Sequence, residues 1–460
     1  MRKWLLTTSS ATAIAIALTM APIMPAPQAG AGSGAPMVLT PDTTADKDAP
    51  ESALTLREAF NDAQTIAADS PSMVTIRLSP GATYELDDCG SGALHHWNNT
   101  GALMVLDGRG ATIHQKCWAK SVMYLGGLGG PADYWLSDVT ITGGTGRDGG
   151  GIVFSGSNLF LNRASIWDNQ TGGRGGGIHA YGDVHLIRST LYANTAHSKG
   201  GGIYSGSGAV NIDRSSVVAN RTTGPLGVSS IDSGGGGVYS KGATTVSRST
   251  ISWNRARVGA GVLAEGDTSI SDSTLDHNSA ERMGGAVFNA DLTNPLDRAE
   301  FSIRNTTVSR NAADVGGGVY TAADVQIHST TFNENAGYEA GAHFVGMSNV
   351  FDLMATNSVF GPTIAGSSCS FGVSYPDLAG SGNFEADNSC GLDPVLNVVD
   401  GGDPGLGLLT DNGGSTETHL PEPGSAVVDQ PLADAGCLPR DQRGISRPRG
   451  RHCDIGAVER

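Results

Sequence analysis

The chain has 460 residues, 66 of them Gly, with 16% charged residues and a formal net charge of −16. So acidic a chain does not present the basic surface that nucleic-acid binding draws on, which excludes that class of function. Length alone would suggest about three domains, but an internal repeat removes that expectation.

The chain opens with Met1-Arg2-Lys3, an apolar Ala-rich stretch from Trp4 to Met20, and prolines at Pro22, Pro25 and Pro27. Ala29-Gly30-Ala31 offers a small-residue cleavage site, so residues 1–31 read as a secretory signal peptide. No later stretch is long and apolar enough to span a bilayer as a helix. Residues 32–52 are expected to be a disordered linker. Helical periodicity begins within Ala53–Gln64, through Leu56, Ala59, Phe60 and Ala63. A short helix here would cap the first turn of a repeat array, whose bare strand edges otherwise invite aggregation. Strand-like segments follow at Val74–Leu78 and Thr112-Ile113, with a turn at Pro80-Gly81.

Between residues 142 and 343 one pattern recurs: apolar, two variable residues, Asn, then a Gly-rich run ending in Ile or Val. The Asn positions are Asn169, Asn194, Asn220, Asn254, Asn278, Asn311 and Asn335, separated by 25, 26, 34, 24, 33 and 24 residues. The two long intervals are one period plus an insertion, at Gly224–Ser233 and Asn289–Glu300. The Gly runs end in Ile152, Ile178, Ile203, Val238, Val262, Val287 and Val319. Helical arrays have longer periods and need better helix formers than Gly, Ser, Thr, Val and Ile. Alternation such as Val184, Leu186 and then Leu191 indicates short strands broken by turns. About 24 residues allow three short strands and three turns, one rung of a parallel β-helix with rungs ~4.8 Å apart. The Asn column would then tolerate a left-handed turn and bond its neighbours above and below. On that basis Asn254→Ala should cost roughly 1–3 kcal/mol. The Gly runs suit a second corner where a Cβ is excluded.

The repeats resemble right-handed parallel β-helix repeats, and their paired motifs look like those of chlamydial polymorphic outer membrane proteins. Leu56-Arg57-Glu58-Ala59 resembles the CSLREA-type motif at the start of bacterial β-helix proteins, with Ala53 or a neighbour in place of its Cys. From residue 367 onward the repeat is left behind. Asp411-Asn412-Gly413-Gly414, Thr418-His419, Asp441-Gln442-Arg443-Gly444 and Cys453-Asp454-Ile455-Gly456 together resemble a choice-of-anchor Q domain. Such domains usually precede a sorting signal. None follows here, so release or non-covalent association is as open as anchoring. The expectation is an all-β, right-handed, pectate-lyase-like parallel β-helix over 53–366. It would have roughly twelve rungs, about 55–60 Å long at ~4.8 Å each, with a choice-of-anchor Q-like region, 367–460, closing its back.

Six Cys fit an oxidising compartment. Proximity favours Cys89–Cys117, Cys369–Cys390 and Cys437–Cys453 among the fifteen possible pairings. Stacking turns repeat positions into columns. Arg163, Arg188, Arg214 and Arg248 fall about one rung apart, as a stripe for an anionic polysaccharide or as ordinary solvated turns partly neutralised by neighbours such as Asp213. Val153, His179, Tyr204, Tyr239, Leu263, Phe288, Tyr320 and Phe344 form a column that could stack on sugars or pack on itself. Asp168, Ala193, Ala219, Trp253, His277, Arg310 and Glu334 precede the Asn column. There Asp276, His277, Arg310 and Glu334 are the candidates for acid–base work on a glycosidic bond or uronic acid. No metal motif or other cofactor signature is present. Acidic turns would admit calcium, without any ordered ligand spacing. The partner is expected to be an extracellular polysaccharide or cell-surface component. The role expected is a secreted or cell-surface one, non-catalytic adhesion, glycan binding or structure, with a polysaccharide lyase or glycoside hydrolase as the alternative.

Overall fold

The computed structural model describes residues 37–46, 52–69, 73–98, 100–127, 132–224, 233–289, 299–346, 353–371 and 378–460. The signal-peptide segment 1–31 lies outside them, as do most of the insertions expected at Gly224–Ser233 and Asn289–Glu300. The chain is a parallel β-helix. One side is an 11-stranded parallel sheet, and the opposite wall is a 23-stranded sheet to which most rungs contribute two strands. Eleven rather than twelve rungs at ~4.8 Å make a body about 50 Å long.

A single rung shows why the repeat folds this way. Ile178–Ala180 lies in the 11-stranded sheet, Asp183–Ile187 and Thr190–Tyr192 in the larger sheet, and Thr195–Ala196 in a third, 7-stranded sheet. The rung therefore has four short strands, one more than the spacing predicts, because the chain pairs for two further residues after each Asn. Every second side chain points inward and stacks on its equivalent: Ile178 on Ile203, Leu186 on Ile212, Leu191 on Val217. These residues are fully buried in one continuous core. Gly200 closes the rung with φ +67°, and a Cβ on Gly201 would lie 2.3 Å from the carbonyl of Gly236 on the next rung. The Gly corner thus needs both positive φ and close approach.

The two bends of each rung differ from expectation in one respect. The left-handed residue is the one before each ladder Asn: Ala193 (φ 54°), Ala219 (φ 55°), Trp253 (φ 57°), His277 (φ 52°). The Asn instead satisfies the bend. Asn194 Nδ2 donates to Asn220 Oδ1 at 2.9 Å and to the carbonyl of Ile166, and Oδ1 of Asn194 accepts from the amides of Asn169. The same bonds run without a break to Asn335. The other bend places Arg188, Arg214 and Arg248 at φ 51°, 47° and 48°. Behind it runs a second ladder of hydroxyls that the sequence reading missed, with backbone N–H of Ser189, Ser215 and Ser249 donating to Oγ of Ser215, Ser249 and Ser273. The recurrent Ser just after the Arg column was its signal.

At the front, helix Leu56–Asp69 buries Leu56, Ala59, Phe60, Ala63 and Ala67 against the first strands. Thr55 and Glu58 form a reciprocal cap: Thr55 N–H donates to Glu58 Oε2 at 2.8 Å, and Glu58 N–H to Thr55 Oγ1 at 3.1 Å. Arg57 pins the helix through Asp46 at 2.6 Å and the carbonyls of Gly92 and Ala93. Part of the segment expected as linker is therefore folded. Met37–Leu39 pairs with strand Val74–Arg77, which supplies the unpaired edge, and Asp46 anchors the cap.

At the back, rung pairing does not stop at 366. Cys369–Phe371 and Phe384–Glu385 pair in register with Phe344–Gly346 and Val359–Phe360. Only beyond them does the chain leave the solenoid, and it covers a flank as well as the end. Val427, Ala433 and Ile455 pack on Val359 and Phe384, while residues 416–457 run back over the strands from Ser273 to Thr331. Disulfides join Cys89–Cys117, Cys369–Cys390 and Cys437–Cys453.

Candidate functional site

The short strand between the two bends carries two outward positions per rung. Register places Thr190, Ser216, Thr250, Thr274, Thr307 and Thr331 in one column. Trp167, Tyr192, Val218, Ser252, Asp276, Ser309 and Asn333 form the other. The C-terminal segment covers the later rungs of this face. Thr274 Oγ1 donates to the carbonyl of Glu417, Thr307 Oγ1 to Gln442 Oε1 at 2.7 Å, and the Ala457 N–H to Thr331 Oγ1 at 3.0 Å. Gln442 Nε2 lies 2.9 Å from Ser273 O and from the hydroxyls of Thr274 and Thr416. His419 bridges Ser309 Oγ and the carbonyl of Gly407.

The earlier rungs of the face are open. Trp167 is 40% exposed, Tyr192 49% and Trp253 53%. Trp253 occupies the left-handed bend, and its ring stacks on His277 with centroids 4.2 Å apart. Arg221 and Arg255 stand exposed immediately beyond the Asn ladder, on paired strands. Together with Tyr192, Val218 and Trp253 they line a depression of about 450 Å³. The columns read from sequence did not single out these arginines, although each directly follows a ladder Asn.

The four acid–base candidates form two pairs. Asp276 Oδ2 is 2.7 Å from His277 Nδ1, and Arg310 Nε is 2.6 Å from Glu334 Oε2. Asp276 is buried at the edge of the cover. Burial raises its pKa above the ordinary carboxylate value and the nearby Glu417 adds to the effect, while the bond to His277 and the charges of His277 and Arg310 oppose it. Arg310 and Glu334 neutralise each other. The carboxyl displaced furthest is elsewhere: Glu385, fully buried behind Cys390, is pushed up to about 7 by desolvation.

The arginine stripe is largely neutralised. Arg163 grips Asp138 with two bonds of 2.6 Å, and Arg214 and Arg248 share Asp213. Among the described residues Arg188 alone of the four lacks a carboxylate partner. The aromatic column is buried rather than presented. Tyr239 and Phe288 are each 1% exposed, and Arg174 and Lys199 lie over the rings of Tyr204 and Tyr239. Phe344 falls out of that column: it pairs with Val319 and points into the core, so Val345 takes the outward place beside Tyr320. Among the described residues, no group of three or more His, Cys, Asp or Glu is arranged to hold a metal ion, and no helix is long and apolar enough to cross a membrane.

Compared with known proteins, the chain matches no family model, no curated protein and no solved structure.

Proposed function

We propose that this is an exported β-helix protein of the cell surface or extracellular matrix, and that its open face binds an extended polysaccharide without cleaving it. The observation that carries this reading is the set of exposed aromatic rings, Trp167 and Tyr192 on the sheet face and Trp253 at the bend beside it, on three of four successive rungs. Flat rings suit the apolar faces of sugars, and regular ~4.8 Å rungs suit a linear polymer. The three disulfides fit the oxidising compartment such a protein would occupy. The signal-like N-terminus and the choice-of-anchor Q-like motifs support the same location.

The alternative, a lyase or hydrolase, is favoured by the Asp276–His277 pair lying against Trp253. Against it, Asp276 is buried under the C-terminal segment, and Glu334 is tied to Arg310. The mature protein should retard one or more polysaccharides in affinity electrophoresis and leave their chain lengths unchanged. Trp253→Ala should weaken retardation. Shortening of any polymer would replace this reading with catalysis; absence of retardation across neutral and acidic glycans would end it.

A further inference from the structure

Arg221 and Arg255 are two exposed basic residues that stand opposite one another on this face. They are direct register partners on adjacent parallel strands, so their backbones lie ~4.8 Å apart. Like charges placed opposite one another repel. Three of the four stripe arginines, Arg163, Arg214 and Arg248, have carboxylates and Arg174 lies over Tyr204, while Arg188 stands alone rather than opposite a second cation. Among the described residues neither Arg221 nor Arg255 has an acidic partner, and Arg221 Nε donates only to Thr195 Oγ1, at 3.2 Å. In a chain of net charge −16, two adjacent uncompensated guanidinium groups form a local electropositive spot beside two exposed aromatic rings.

We propose that the depression between Tyr192 and Trp253 is a subsite for a uronic-acid unit of an acidic polysaccharide. This deepens the glycan-binding reading and rests on it. The exposed Trp253 ring would take the apolar face of the sugar, and the two guanidinium forks would take its carboxylate, a planar group matched to bidentate donors. The site fits one oxyanion per sugar. A densely sulfated chain would bring further negative charges against an acidic surface.

The test is titration calorimetry of the full mature protein with a panel of oligouronates, their carboxyl-reduced neutral twins, and sulfated oligosaccharides of equal length. At least one oligouronate should bind roughly a hundredfold more tightly than its neutral twin, about tenfold for each arginine. Arg221→Gln with Arg255→Gln should erase that gap and leave the twin's affinity in place. The double Lys variant, which keeps charge without the fork, should fall between. Both side chains are exposed, so the variants should fold, which an unchanged melting temperature checks. Trp253→Ala should weaken acid and twin alike. Equal affinity for acid and twin, unaffected by the double variant, would overturn the carboxylate subsite while the glycan reading stands. Tighter binding of the sulfated oligosaccharides would also overturn it. Failure of every oligosaccharide to bind would overturn both readings.

Discussion

Thr190 and Tyr192 on one rung and Thr307 and Ser309 on another occupy equivalent places on the same sheet face, related through four successive pairings. The first pair is exposed and the second fully buried. The backbone beneath them is the same, with the same Asn ladder one bend away. The difference lies in what stands beside each hydroxyl. Trp167 and Tyr192 in the early rungs give way to Ser252, Asp276 and Ser309, and small polar side chains let the C-terminal segment come close enough to hydrogen-bond. The covered half thus shows how a row of outward hydroxyls at rung spacing can be satisfied by a chain laid across it. The open half has the same hydroxyls, larger rings and, among the described residues, no covering chain.

The strongest way to break that comparison is to remove the residue that fastens the cover. Gln442 is 3% exposed and makes contacts with Ser273, Thr274, Thr307 and Thr416. Gln442→Ala should cost about 3 kcal/mol, several hydrogen bonds with buried partners left unmade. Hydrogen exchange should show Thr274–Asp276 and Thr307–Ser309 losing protection toward the level of Thr190–Tyr192. Unchanged protection would mean that the apolar contacts of Val427 and Ile455 hold the cover without the polar row.

A second difference sits at the ladder's far end. Asn335 Nδ2 is 3.0 Å from His343 Nδ1, so the ring proton sits on Nε2 and is donated to the Gly361 carbonyl at 2.7 Å. Burial lowers the His343 pKa to about 4. Between pH 6.5 and 4 the unfolded chain therefore binds a proton that the folded chain refuses. The stability tied to this group is complete above about pH 6.5 and lost as pH falls to about 4, an effect approaching 3 kcal/mol. Glu385 acts in the opposite sense. With its pKa raised to about 7, the folded chain keeps a proton that the unfolded chain releases, and stability falls as pH rises from about 4.5 to 7. Denaturant midpoints of wild type and His343→Gln at pH 7.5 and pH 4.5 isolate the histidine. The wild type should lose more on acidification than the variant. Parallel curves would place the charge change elsewhere.

The ladder itself was legible in the sequence because its chemistry is local and periodic: one Asn per rung, stacked on itself. The core columns were legible for the same reason. The cover was not, because Gln442 meets Thr274 across 168 residues and no period links them. The arginines show the same limit. Asp213 stands out in sequence as a neighbour that partly neutralises the stripe, but Asp138 reaches Arg163 only through the register of adjacent rungs. Arg221 and Arg255 each follow a ladder Asn, but their exposure and direct pairing across the insertion are set by packing and register that the repeat does not encode. The repeat also hid which residue takes the left-handed bend, since Ala193, Ala219 and Trp253 at positive φ have none of the composition bias of Gly or Asn.

Substitution within the ladder gives a finer test of whether the cover acts only from outside. Asn194 in the open half and Asn311 in the covered half make equivalent bonds to the next Asn and to the carbonyl of an earlier rung. Each change to Ala should cost about 2 kcal/mol, and the two should agree within ~0.5 kcal/mol if the cover leaves the ladder unaltered. A clearly larger loss for Asn311→Ala in denaturant melts would mean that the C-terminal segment clamps the bend as well as the strand.

The smallest expected effect is the most informative about the open face. Trp167 and Tyr192 lie directly opposite each other on adjacent strands, and aromatic pairs in that position can stabilise a sheet by roughly 0.2–1 kcal/mol. Both are also about half exposed, so removing either leaves no cavity in the core. Trp167→Ala should therefore shift stability by less than ~0.5 kcal/mol while lowering glycan affinity. A loss above about 1 kcal/mol with unchanged affinity would make these rings part of the sheet's own packing. The open half would then differ from the covered half only in lacking a lid, and the case for a ligand would rest on Trp253 and the two arginines alone.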